Sequence, residues 1–308
     1  MIRKSKWIEI QSPDEPLGAV ARRALEGRLD LIWHYLPLAA AAPEEDVEHV
    51  HQCRVATRRA MAALTIFEPL LPQRRAGWFK KQLKRVRRAT GEARDYDVML
   101  ARLFKECDER FATACRELRR EVTRLRHAAQ RPIREVHERL VDRGYKRRVG
   151  KLVLKTRWRE SERSEPTFAM AARSGLRPVT EDFFAAGSAD FSDTDALHEF
   201  RIAGKELRYA MEVYAGAFEP EFRRDLYPIV EELQQKLGEI NDHATAQSRY
   251  KKWIDEGGDA DRLGLLGELL AQEVDALDRK RVDFVHWWTA GRAADMQTAF
   301  REKLAGDR

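Results

Sequence analysis

The feature that most constrains this chain is a segment that occurs twice at one fixed offset. His51-Gln52-Cys53-Arg54-Val55-Ala56-Thr57-Arg58 returns 147 residues later as His198-Glu199-Phe200-Arg201-Ile202-Ala203-Gly204-Lys205. Without a gap, the same offset carries Gly91-Glu92-Ala93-Arg94-Asp95 onto Gly238-Glu239-Ile240-Asn241-Asp242. Between these matches the apolar positions also correspond: Phe67 with Tyr214, Leu83 with Val230, Val86 with Leu233. Two matches at one offset, with a helical pattern kept between them, point to a duplicated helical unit.

Almost every segment reads as helix. Apolar residues recur at three- and four-residue spacing, and Ala, Leu, Arg and Glu dominate. Helices are expected over Leu17 to Ala42, Glu45 to Leu71, Arg74 to Gly91, Asp95 to Gln130 and Ile133 to Arg159. Further helices are expected over Thr167 to Ala186, Thr194 to Phe218, Pro220 to Glu239, His243 to Glu256, Asp261 to Thr289 and Ala293 to Leu304. Pro43, Leu71-Pro72, Arg131-Pro132, Glu165-Pro166, Gly187-Ser188 and Gly257-Gly258 mark the breaks. The expected fold is all-α. Two antiparallel bundles are related by a pseudo-two-fold, with their boundary in the basic stretch from Arg131 to Arg163.

Charge narrows the function. The 57 Lys and Arg against 51 Asp and Glu leave +6 overall, but the cations are segregated. From Arg74 to Arg94 nine basic residues face one acid, Glu92, and from Arg131 to Arg163 twelve face five. Such local fields attract polyanions. No apolar run approaches a membrane span, and no apolar signal core follows the basic start, so a cytoplasmic protein is expected. Cys53, Cys107 and Cys115 are odd in number and lack metal-ligand spacing, which argues against a disulfide framework and a structural zinc.

Helical geometry sorts the repeated segments into faces. In the first, Ala56, Ala60, Ala63, Leu64, Phe67 and Leu71 form an apolar stripe, opposite His51, Arg54 and Arg58. In the second, Phe200, Ala203, Leu207, Ala210, Met211 and Tyr214 face inward, opposite His198, Arg201, Lys205 and Arg208. The next helix buries Phe79, Leu83, Val86 and Thr90 and presents Lys80, Lys81, Lys84, Arg87 and Arg88. At the matching places the second copy has Tyr227, Glu231, Gln234 and Gln235, so the first half is expected to dominate anion binding.

The paired His-x-x-Arg-[Val/Ile]-Ala-x-[Arg/Lys] and Gly-Glu-x-[Arg/Asn]-Asp segments resemble the CHAD domain, the conserved-histidine α-helical domain, over roughly Leu17 to Trp288. The resemblance implies two pseudo-symmetric bundles, about 17–145 and 146–291, with a basic groove or pore between them. A short extension, 1–16, would precede this domain and a helical tail, 292–308, would follow it. It also implies binding of inorganic polyphosphate, with phosphate contacts at His51, Arg54, Arg58, Lys81, Lys84, Arg88, His198, Arg201, Lys205 and Arg208. Lys80 and Arg87 join them from the same cationic helix. Asp95 and Asp242 are expected to orient Arg54 and Arg201, or to cap a helix. Many relatives carry an N-terminal CYTH triphosphatase domain; here no Glu-x-Glu-x-Lys strand precedes the first helix, so that enzyme is expected to be absent.

Three rivals remain open on the residues alone. A nucleic-acid binder would use the same cations, but no helix-turn-helix, zinc finger or RNA-recognition motif is present, and few aromatics border the cationic faces beyond Trp78 and Tyr209. A histidine- or metal-dependent phosphotransfer enzyme could draw on His51, His198, Asp95, Asp97 and Asp242. Neighbouring cations would repel a metal, and His49 and His51 at i, i+2 point apart. A structural adaptor would use the more acidic C-terminal helices and leave the cationic faces without a role. The expectation is binding without catalysis, and no metal or cofactor.

Overall fold

The structure, a computed structural model, describes residues 5–41, 47–106, 109–160 and 162–305. Twelve α-helices account for most of them, and no strand occurs among the described residues. They are α1 (Leu17–Ala40), α2 (Glu48–Ile66), α3 (Gln73–Ala89), α4 (Gly91–Glu106), α5 (Ala112–Ala128), α6 (Gln130–Asp142) and α7 (Tyr145–Lys155). After a loop come α8 (Phe168–Ala186), α9 (Thr194–Tyr214), α10 (Tyr227–Asp255), α11 (Ala260–Trp287) and α12 (Ala290–Ala305). Short 3-10 turns lie at Glu68–Leu70, Glu109–Phe111 and Ala215–Ala217, and a π turn, Phe222–Leu226, leads into α10.

Several boundaries correct the sequence reading. The expected helix from Asp95 to Gln130 is two, α4 and α5, with a 3-10 turn between them. The expected helix from Ile133 to Arg159 ends at Asp142 and restarts at Tyr145, because Gly144 takes φ 64°, a left-handed conformation that glycine adopts without Cβ strain. The break expected at Arg131-Pro132 falls two residues earlier: α5 ends at Ala128, α6 starts at Gln130, and Pro132 sits in the first turn of α6, where no intrahelical bond needs its missing N–H. Asn241-Asp242, by contrast, opens no helix, since α10 runs through it.

The packing repeats. α1 lies against α2 as α8 lies against α9; α4 pairs with α5 as α10 pairs with α11; α7 rests on α1 as α12 rests on α8. The principal core joins residues from both halves, among them Leu25, Leu64, Phe79, Phe183, Phe200 and Phe222. A second, distal core is closed by Met99, Leu103, Leu118 and Val122 from α4 and α5 against Tyr250, Trp253, Leu265 and Leu269 from α10 and α11. Each such side chain, fully buried, contributes about 1.5–3 kcal/mol. Neither core is confined to one side of residue 146. The expected apolar stripes are buried, apart from Ala203, which is half exposed.

The residues before α1 are part of the body. Ile8 is buried and its amide donates to Glu212 O at 3.3 Å, while Phe168 N and Ala169 N donate to Glu15 O and Pro13 O. Arg28, buried at the middle of α1, donates to the carbonyls of Ser5 and Lys6. The cysteine expectation is also corrected. Cys53 is a buried free thiol, but Cys115 is disulfide-bonded. An odd count excludes pairing all three and leaves room for one bridge.

Candidate functional site

The two His-x-x-Arg segments lie on α2 and α9, and these helices touch across the two halves. Small residues set the approach. Ala56, Ala60 and Ala63 bury one side of α2, which turns Arg54 and Arg58 to the other. On α9, Gly204 leaves room for the Gln234 amide of α10, which a Cβ there would push aside. One contact is then made in opposite directions in the two halves. Arg54 Nη1 donates to Arg87 O at 2.9 Å, tying α2 to the end of α3. At the offset positions, Gln234 Nε2 donates to Arg201 O at 3.3 Å. Arg54 is thereby anchored, whereas the Arg201 guanidinium makes no such bond among the described residues.

Electrostatics show which cations meet. Burial, then the charges of Arg201 and Arg58, with Arg208, push the Lys205 ammonium down to about 7 against the opposing pull of Asp242. Arg201 is lowered by burial and by Arg58, again opposed by Asp242. Burial lowers Arg54 too, with Arg58, Arg87 and Arg94 adding and Asp95 opposing. His51 is held below its ordinary value by burial and Arg94, with Arg58 and Arg54 contributing. Arg58 is the common neighbour, felt by His51 and Arg54 on its own helix and by Arg201 and Lys205 on α9. The buried Nε atoms of Arg201 and Arg208 have no hydrogen-bond acceptor among the described residues. Such a group of half-buried, mutually repelling cations is short of negative charge.

Asp95 and Asp242 supply part of that charge. Burial raises Asp95, Arg54 and Arg249 oppose, and Asp242 adds, so the two aspartates face each other. They line a cleft between α4 and α10 together with Val98, Met99 and Arg102 on one side and Thr245, Ala246 and Arg249 on the other. Every residue on one wall is 147 positions from its counterpart on the other.

The remaining expected residues are placed less evenly. Arg87 acts on Arg54. Lys81, Lys84 and Arg88 are exposed along α3, and Lys80 is paired with Glu68 at 2.8 Å. Arg208 leans on buried Glu212 at 3.6 Å and lies over the Tyr209 ring. His198 is exposed, unlike half-buried His51. The two histidines therefore occupy different environments. Among the described residues, no group of three or more His, Cys, Asp or Glu is arranged to hold a metal ion.

The CHAD domain family matches residues 23–251, which is most of the chain. The chain belongs to the CHAD domain family. Among solved structures, it is similar to the CHAD domain from the plant Ricinus communis, at 22% identity and a TM-score of 0.66, over 99% of this chain and 96% of that one. It is also similar to PptA from Streptomyces chartreusis, at 17% identity and a TM-score of 0.64, over 89% and 99% of the two chains. No functionally curated protein matches it.

Within this CHAD domain the sequence reading missed three participants. Arg94 reaches His51 and Arg54 from α4, and Arg249 reaches Asp95 from α10. Arg94 stands inside the Gly-Glu-x-[Arg/Asn]-Asp motif, and Arg249 is Arg102 moved by 147, so the repeat carried a signal for both. The third is Glu212, almost wholly buried, whose carboxylate takes Arg59 Nε at 2.6 Å and the Tyr227 hydroxyl at 2.8 Å. This pair locks α2 to α9 beside the cationic group. Glu212 corresponds to Thr65, so the repeat gave no hint of it.

Proposed function

We propose that this protein binds inorganic polyphosphate at the crossing of α2 and α9 and does not turn it over. One observation carries the reading: burial, and beside it the charge of Arg58, lowers the proton affinity of Arg54 on α2 and of Arg201 and Lys205 on α9, with only Asp95 and Asp242 opposing. A chain of phosphates answers that deficit, through charge-assisted hydrogen bonds to guanidinium and ammonium groups. The ligand carries no bases, and Tyr209, the aromatic ring beside the α9 cations, is buried under Arg208 and offers no face for stacking. Membership of the CHAD family supports the same ligand. We further propose that the two halves are a duplication, with the crossing as the groove between them. The recurrent helix pairings and the self-matching walls of the α4–α10 cleft support this.

The test is calorimetric titration with long-chain polyphosphate beside orthophosphate, pyrophosphate and duplex DNA at one salt concentration, with released phosphate measured in parallel. Long-chain polyphosphate should bind far more tightly than the three others, with no phosphate released. DNA binding as tightly as polyphosphate would favour the nucleic-acid reading, and steady phosphate release would make the protein an enzyme.

A further inference from the structure

A second cationic cleft lies away from the crossing, at the other end of α3. It has a volume of about 650 Å³ and is lined by Pro72, Gln73, Arg74, Arg75, Trp78 and Arg148. We propose that this cleft is a second anion site, and that the exposed face of α3 joins it to the crossing so that one long polyphosphate chain engages both. The proposal rests on the polyphosphate reading and extends it.

Four observations support the cleft. First, α3 contains no Asp or Glu, and Arg74, Lys81, Lys84 and Arg88 are exposed along one stripe of it. From Arg74 to Arg88 the stripe runs about 21 Å, and it ends beside Arg87, whose charge and carbonyl both reach Arg54. Second, among the described residues neither Arg74 nor Arg75 takes part in an ion pair. Third, Arg148 is already oriented. Its guanidinium lies 4.7 Å over the Trp78 ring and its Nε donates to Arg143 O at 2.9 Å, which leaves the terminal nitrogens for a ligand. Fourth, the corresponding positions of the other half keep no cation: Arg75 becomes Phe222, and others become acidic. Arg74, Trp78 and Arg148 become Glu221, Asp225 and Asp295, and Arg224 already bridges Glu221 and Asp225.

The same geometry argues for phosphate chains over nucleic acid. Stacked bases need an open aromatic face, and Trp78 has Arg148 over its ring and Phe79 edge-on at 4.8 Å. What the cleft offers is charge. Two contacts on one chain reinforce each other only if the chain is long enough to span them.

The experiment compares long-chain polyphosphate with tripolyphosphate, which is far too short to run the length of α3. The full chain is titrated with both, alongside Arg74→Ala/Arg75→Ala and the single exposed change Arg74→Glu, with thermal melts for each. The double variant should lose about tenfold in affinity for long chains, keep its tightest binding of tripolyphosphate and melt like the parent. Arg74→Glu should behave alike even if the double variant is unstable. Unchanged long-chain affinity in both variants overturns the proposal, as does an equal loss for both ligands. A loss confined to duplex DNA also overturns it. A parent that binds neither phosphate probe removes the polyphosphate reading, and this proposal with it.

Discussion

The helix α3 and the start of α10 stand at corresponding places in the two halves, and they have become opposite surfaces. Lys80 and Lys84 of α3 correspond to Tyr227 and Glu231 of α10. The structure gives the difference a cause. On the second half this face is covered by the residues before α1: Trp7 packs edge-on against Tyr227 at 4.6 Å, and Lys6 lies 4.2 Å over the same ring and 3.2 Å from Glu231. Tyr227 also reaches inward to Glu212, the acid that ties α9 to α2. Among the described residues no equivalent segment covers α3, where Arg74, Lys81, Lys84, Arg87 and Arg88 are exposed. A surface that holds part of its own chain needs an aromatic and an acid; one left open can keep an unbroken row of cations.

The contrast can be broken by writing the second half into the first. Lys84→Glu with Arg88→Gln should weaken long-chain polyphosphate by at least about tenfold, since two charged contacts are lost and a repulsive carboxylate is added. Both positions are exposed opposite the buried stripe of Phe79, Leu83 and Val86, so melting should stay close to that of the parent. Titrations and melts of the two proteins decide it; unchanged binding would show that α3 is not part of the path.

A smaller effect separates the halves by pH. Lys205, brought down to about 7 by burial and by Arg201, Arg58 and Arg208 against Asp242, is partly neutral in the free protein near neutrality. A bound polyanion favours the charged form, so binding takes up a proton and affinity falls as pH rises above about 7. The fall should be a few-fold between about pH 7 and pH 8.5. Lys205→Arg, charged throughout, should flatten it. Calorimetry in buffers of different ionisation enthalpy reads the proton directly, and no difference between parent and variant would place the ligand away from Lys205.

The smallest effect is expected where the extension docks. Lys6 is half-buried and Glu231 exposed, so their ion pair is largely solvated, and Lys6→Ala should cost no more than about 1 kcal/mol of stability and leave polyphosphate affinity unchanged. Denaturant unfolding and one titration check it.

Much of this was legible in the sequence, for a physical reason. An apolar stripe fixes which way a helix faces, so the orientation of Arg54, Arg58, Arg201 and Lys205 followed from Ala56, Ala60, Leu207 and Met211. Helix ends were less legible. Asn241-Asp242 looks like a cap but lies within α10, where Asn241 and Thr245 bond to each other, and the break expected at Arg131-Pro132 falls at Ala129, which leaves Pro132 in the first turn of the next helix. Long-range pairs were not legible at all. Arg59 with Glu212, and Lys6 with Glu231, join residues 153 and 225 positions apart, and nothing in the local pattern of either partner announces the other.

The central claim is that cations from both halves form one anion site at the α2–α9 crossing. Its most direct test is the salt dependence of long-chain polyphosphate binding in the parent and in Arg58→Ala/Arg201→Ala, which removes one guanidinium from each half. In the parent, log K should fall linearly with log salt as condensed counterions are released. The variant should bind at least about a hundredfold more weakly, with a slope shallower by about 1.4, the share of two lost phosphate contacts on a single strand. A variant that folds like the parent and binds with the same affinity and slope would contradict the account.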